Sequence, residues 1–242
     1  SETEGRAGRQ QGQPAHTREA KLGCVFTQTV TDEQGRPIRD PDSTTYVGAI
    51  GTAEEFGYLL YTEAWRRGWS HAIHKVVLGD GAVYNWNIAE RHFPGATQIV
   101  DQYHARQHVW DLGAVLFAGS DSRKTAWVSR MQSKLDDGEI ESLVKSLRRL
   151  APKHPQSTPL IITAADYFER NKERMRYPEF RRQGLFVGSG VIEAGCKNVI
   201  GSRLKGSGMF WTVDGANAIL ALRCCQLNNR FEDYWAHRRA AA

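Results

Sequence analysis

The sequence is poor in the features that would take a chain into or across a membrane. No apolar run approaches the roughly 18 residues that a spanning helix needs. The opening stretch, Ser-Glu-Thr-Glu-Gly-Arg, is charged and has no apolar signal core. A cytoplasmic location is the default expectation, with no membrane partner. Cysteine is scarce as well: Cys24, Cys196, Cys224 and Cys225 contain no Cys-x-x-Cys pair, which argues against a zinc ribbon. Cys224 and Cys225 fall in an apolar helical pattern and read as core residues of a reducing compartment. There is no internal repeat and no low-complexity tract. What is present is a globular composition of 242 residues, 40% hydrophobic and 24% charged, enough for one large domain or a core with an insertion.

The net charge of +5 and the isoelectric point of about 9.1 favour a polyanionic partner. The basic residues also cluster: Arg181 and Arg182 precede one glycine, and Arg203 and Lys205 follow another. Charge and clustering together point to nucleic acid.

Residues 1–18, polar and rich in Gly, Gln and Arg, read as an arm or loop. Residues 19–30 and Thr44 to Ile50 read as two strands joined by a turn-rich connection, a hairpin with a long loop. Thr52 and Glu55 have capping-box spacing, so a helix is expected from there to about Arg67, stopped by Gly68. His74 to Gly79 is a further strand, Tyr84 to His92 a short helix, and Gln98 to Val100 a short buried strand. From Gln102 to about Arg176 the patterns are all helical, over 103–118, 122–136, 139–150 and 158–175. A helix through Val191, Ile192, Glu193 and Cys196, with Gly201 as its stop, and a last helix from Thr212 to about Asn228 close the chain. Strands mixed with helices in this order predict an α/β protein with a mixed sheet covered by helices.

Four groups of residues can carry chemistry. Asp80, in Val-Val-Leu-Gly-Asp-Gly-Ala, ends an apolar strand and precedes a glycine. A carboxylate there is held rigidly at a crevice, as a metal ligand or general base, although Asp-Gly is also an ordinary turn pair. In Val-Asp-Gln-Tyr-His, Asp101 follows a strand and His104 opens a helix whose face it shares with His108. The three could gather a transition metal, support a neighbouring site, contact DNA, or serve as an N-cap and two surface histidines. The missing Glu-x-x of a zinc protease argues against hydrolytic zinc. Glu193 stands among Val191, Ile192, Ala194 and Cys196, where burial would demand a partner such as a divalent cation; a helix N-terminus would also favour it. Residues 202–211 interleave Arg203 and Lys205 with aromatics ending in Trp211. That suits a loop gripping phosphates while a ring stacks on a base, or a solvated turn with Trp211 as an apolar anchor.

Taken in order, Gly79-Asp80-Gly81-Ala82, Phe93-Pro94-Gly95-Ala96, Asp101-Gln-Tyr-His104 and Gly190-Val-Ile-Glu193, followed by Arg203-Leu-Lys205 and Trp211, resemble a bacterial insertion-sequence DDE transposase, most closely the ISKra group. The resemblance implies an RNase H-like mixed sheet flanked by helices, over 19–101 and 184–242, with an all-helical insertion at 102–183 before the last catalytic helix. It implies Asp80 as the second catalytic Asp and Glu193 as the catalytic Glu, both magnesium ligands, with manganese as a substitute. Asp101 and His104 match an Asp-x-x-His motif that accompanies such sites without joining the triad. Arg203, Lys205, Trp211 and His108 are expected to meet double-stranded DNA, transposon ends and target alike, in a homo-oligomer. The family's first Asp lies on a first strand that has no counterpart here. The early acids Glu2, Glu4, Asp32, Asp40 and Asp42 are expected in loops, and strand transfer is expected to be impaired.

Overall fold

In the computed structural model, residues 3–6, 17–188, 190–205 and 211–240 are described. The chain is mixed α/β and dominated by helix. Strand β1 (Thr3–Arg6) pairs antiparallel with the start of β2 (Thr17–Val25), in the register Thr3 opposite Ala20. The rest of β2 pairs antiparallel with β5 (Thr45–Ala49), Lys21 opposite Ala49 and Val25 opposite Thr45. The expected hairpin is therefore present. Its long connection carries a two-residue ribbon, β3 (Val30–Thr31) and β4 (Pro37–Ile38). Within it Asp32 accepts the backbone N–H groups of Gln34 and Arg36, and Asp40 accepts both the N–H and the hydroxyl of Thr29. Those two acids are turn residues.

Thr52 and Glu55 form the expected capping box: the Thr52 hydroxyl accepts the Glu55 N–H at 3.2 Å, and the Glu55 carboxylate accepts the Thr52 N–H at 2.8 Å. Helix α1 (Ala53–Arg66) follows. Strand β6 (Val76–Gly79), helix α2 (Val83–His92) and strand β7 (Thr97–Val100) come next, and β6 and β7 pair in parallel. The helical block is α3 (Gln102–Leu116), α4 (Asp121–Asp136), α5 (Ile140–Leu150), α6 (Thr158–Asn171) and a short α7 (Tyr177–Arg182).

Four expectations need correction. Residues 1–18 are not wholly an arm, because Thr3–Arg6 is a strand and Glu4 lies in it rather than in a loop; residues 7–16 fall outside the described residues. The sheet is not single: among the described residues β1-β2-β5 and β6-β7 are separate sheets. Gly201 stops nothing. Helix α8 (Gly190–Gly195) runs into a π-helical stretch, Cys196–Gly201, and directly into α9 (Ser202–Leu204). Beyond α10 (Val213–Leu227), capped by Thr212, a further helix α11 (Phe231–Ala240) was not foreseen.

Alternation along β2 explains the layers. Ala20 and Leu22 face one way, against Val199, Ile200, Leu204, Leu220 and Cys224. Gly23 and Val25 face the other way, where a side chain at Gly23 would meet Leu60 of α1 at 2.9 Å. Helices α1 and α2 underlie both sheets through Phe56, Ala64, Ile88 and Phe93, joined by Val25, Val47 and Val77. The helical block is not an appendage with a core of its own. Ile99 and Val100 of β7 and Trp86 of α2 belong to the same buried cluster as Phe168, Leu135 and Tyr177.

The outer edge of β5 is closed by side chains of α10. Asn228 accepts the Tyr46 N–H at 2.7 Å and donates to the Tyr46 carbonyl at 3.0 Å; Asn217 does the same for Ile50, at 2.7 and 3.0 Å. A carboxamide is the one neutral side-chain group that offers donor and acceptor side by side, as a neighbouring strand would. Replacing Asn228 with alanine is expected to cost about 1–3 kcal/mol by orphaning both groups. Urea denaturation measures this, and Asn228→Asp, which keeps the acceptor and loses the donor, should fall between alanine and the natural residue.

Candidate active site

Strand β6 ends at Gly79, and Asp80 follows it into the turn. Its Oδ1 accepts the Ala82 N–H at 2.9 Å and the Asn85 carboxamide at 2.7 Å, so α2 begins from the carboxylate that it helps to fix. The Asp80 carbonyl accepts the Tyr167 hydroxyl at 2.8 Å, which ties the turn to α6. Gly81 has φ of +95°, and a side chain there would meet that hydroxyl at 2.5 Å. Only glycine fits both the backbone and the space. Burial pushes the Asp80 carboxyl upward, but the Ala82 hydrogen bond and the nearby His104 imidazole outweigh it, and the group titrates below the ordinary carboxylate value. Asp80 is therefore an anion at neutral pH.

Asp101 leaves β7 and caps α3, its Oδ1 accepting the N–H groups of Tyr103 at 2.8 Å and His104 at 3.3 Å. His104 packs edge-on against His108 with centroids 4.8 Å apart, and His108 lies over Tyr167 at 4.2 Å. Burial and the neighbouring His104 hold His108 below the ordinary histidine value, so it is neutral at pH 7. Asp80, Tyr167, His108, His104 and Asp101 thus form a chain of contacts across the ends of β6 and β7.

Asp80, Asp101 and His104 share the wall of one cavity of about 1330 Å³ with Glu193, which α8 brings in from the far end of the sequence. Glu193 is exposed, not buried as its apolar neighbours suggested. His108 does not line this cavity; it stands behind His104, against Tyr167. Lys21 and Arg106 line it, yet each is already engaged, Lys21 with Glu19 and the Gly51 carbonyl, Arg106 with Asp136. Arg203 and Lys205 are exposed on and just after α9, away from that wall. Trp211 packs against the Leu220 cluster with its indole N–H buried and without a partner among the described residues. Residues 206–210 of the same segment fall outside the described residues.

Among the described residues no three His, Cys, Asp or Glu side chains gather closely enough to hold a metal ion by themselves. This removes the reading of Asp101, His104 and His108 as a transition-metal site: the carboxylate is turned to its helix cap and the two rings pack on each other. Asn85 and Tyr167, which fix Asp80, had no signal in the sequence. Neither belongs to a motif, and Tyr167 comes from the helical block, far along the chain. Compared with protein-family models, curated proteins and solved structures, the chain matches none.

Proposed function

We propose that the chain acts on DNA phosphodiesters in the cytoplasm as a transposase catalytic domain of the insertion-sequence DDE class, with an RNase H-like core and without the family's first carboxylate. One observation carries this reading. Asp80 at the end of β6 and Glu193 on α8, far apart in sequence, reach the wall of one cavity, and Asp101 and His104 flank them there.

The donor set fits magnesium better than zinc. It is all hard oxygen, and magnesium binds through one or two carboxylates, taking its other ligands from water and substrate phosphate. Asp80 and Glu193 would hold it, with manganese able to replace it; when bound, such an ion polarises a phosphodiester and lowers the pKa of an attacking water. The protein's own part is orientation. Ala82 N–H and Asn85 fix the Asp80 carboxylate, and the Asp101 cap fixes where α3 begins and where His104 stands. The exposed Arg203 and Lys205 would hold phosphates of double-stranded DNA outside the cavity, and a pair of copies on DNA is the expected assembly.

A second reading, a DNA-binding module without catalysis, is favoured by the lack of any three-acid cluster among the described residues. Incubating the 242-residue chain with end-labelled duplex DNA and manganese separates the two. The catalytic reading expects weak cleavage that Asp80→Ala and Glu193→Ala each reduce by at least about a hundredfold, with duplex affinity unchanged, since about 2.7 kcal/mol of transition-state stabilisation is a hundredfold in rate. Duplex binding without cleavage in any form supports the second reading. No duplex binding at all contradicts both.

A further inference from the structure

The backbone directions of two strands define a slot. The N–H groups of Tyr46 and Ile50 point outward to Asn228 and Asn217, as do their carbonyls. Their neighbours Thr45, Val47 and Ala49 therefore point their peptide groups at β2, opposite Val25, Gly23 and Lys21. Leu22 and Cys24 then point theirs to the other side of β2, the side on which β1 already pairs at Thr17–Ala20.

The same count works for β6. Thr97 N–H donates to the Lys75 carbonyl and Asp101 N–H to the Gly79 carbonyl, so odd-numbered residues of β6 face β7. Val76 and Leu78 face away. The four residues Leu22, Cys24, Val76 and Leu78 all line the 1330 Å³ cavity, in unbroken runs from Lys21 to Thr29 and from Val76 to Asp80. A strand shows every successive residue to one space only along its edge, because its side chains alternate between faces. Two open edges therefore face one cavity, with backbone groups spaced two residues apart on both sides. Among the described residues none of those four has a backbone partner on that side. The floor is apolar, made by Phe56, Leu60 and Ile88.

We infer that this cavity is an acceptor slot for one extended apolar peptide strand, running in line with β1, antiparallel to β2, and hydrogen-bonded to β2 and β6 at once. Strand addition of this kind draws affinity from main-chain bonds and specificity from alternate side chains. A strand is the occupant that the walls specify: a helix would leave both rows of peptide groups unpaired, and a charged segment would meet the apolar floor. One end of the strand lies beside Asp80, because β6 leads directly into it. The occupant would join the two sheets into one. The inference rests on backbone geometry and stands whether or not the chain acts on DNA.

Hydrogen exchange read by mass spectrometry tests it on the full chain. The probe is the synthetic peptide acetyl-Lys-Thr-Val-Ile-Val-Ile-Thr-Lys-amide; the control carries proline in place of its central valine. The expected result is at least tenfold slower exchange in both segments, 21–25 and 76–79, with the first peptide and no change with the second. Protection of neither segment, or of one alone, overturns the slot. Protection of both already present without peptide and growing with protein concentration also overturns it, by showing that a second copy fills the space.

Discussion

Replacing Arg230 with alanine is expected to destabilise the protein by about 3–5 kcal/mol at neutral pH, the usual cost of leaving a buried charge without its partner. Arg230 stands just before α11 and grips Glu63 of α1 through both terminal nitrogens, at 2.8 and 2.9 Å. The Glu63 side chain is only 5% exposed. Burial pushes its carboxyl upward, and the hydrogen bonds and charge of Arg230 outweigh that, so it titrates below the ordinary value. The sign follows. A carboxyl depressed in the folded state contributes stability above its unfolded value, and the contribution is lost as pH falls through the folded value. The deficit of Arg230→Ala should therefore be largest at neutral pH and shrink in acid. Arg66, 3.7 Å away and more exposed, recovers only part of the loss. Urea midpoints at two pH values measure it. A deficit under about 1 kcal/mol at pH 7, the size of an exposed pair, would show that water reaches Glu63.

Gly81→Ala is the second large effect, at about 3 kcal/mol. Holding an L-residue at the φ of +95° costs roughly 1–2 kcal/mol. The new methyl would also stand 2.5 Å from the Tyr167 hydroxyl, so that ring must move and release the Asp80 carbonyl, a further loss of about 1 kcal/mol. The two parts separate in a double-mutant cycle. In a Tyr167→Ala background Gly81→Ala should cost only the backbone part. Equal costs in the two backgrounds would mean that Tyr167 does not hold the turn.

The elements that were legible in the sequence are those with local causes. The capping box at Thr52 and Glu55, the left-handed Gly68 after α1 and the Thr212 cap all appear where the pattern places them. The strand-end position of Asp80 and the cap at Asp101 were legible for the same reason. Gly201 misled because a glycine inside a π-helical stretch has the ordinary helical φ of −58°, and only packing against Ala20 and Leu220 keeps the turn going there. The exposure of Glu193 was hidden too, since apolar neighbours on a short helix can all face inward while the acid faces out. Asn217 and Asn228 look like any polar residues of a helix; their use as a substitute strand depends on β5, which lies far earlier in the chain.

The account depends most on Asp80 and Glu193 serving one ion across the cavity that they share. Calorimetric titration of manganese into the natural chain, Asp80→Ala and Glu193→Ala measures this directly. The account predicts one site that either substitution weakens by at least tenfold, with the double variant no worse than the single ones, since two ligands of one ion are not independent. Manganese binding lost in Asp80→Ala and unchanged in Glu193→Ala would contradict it.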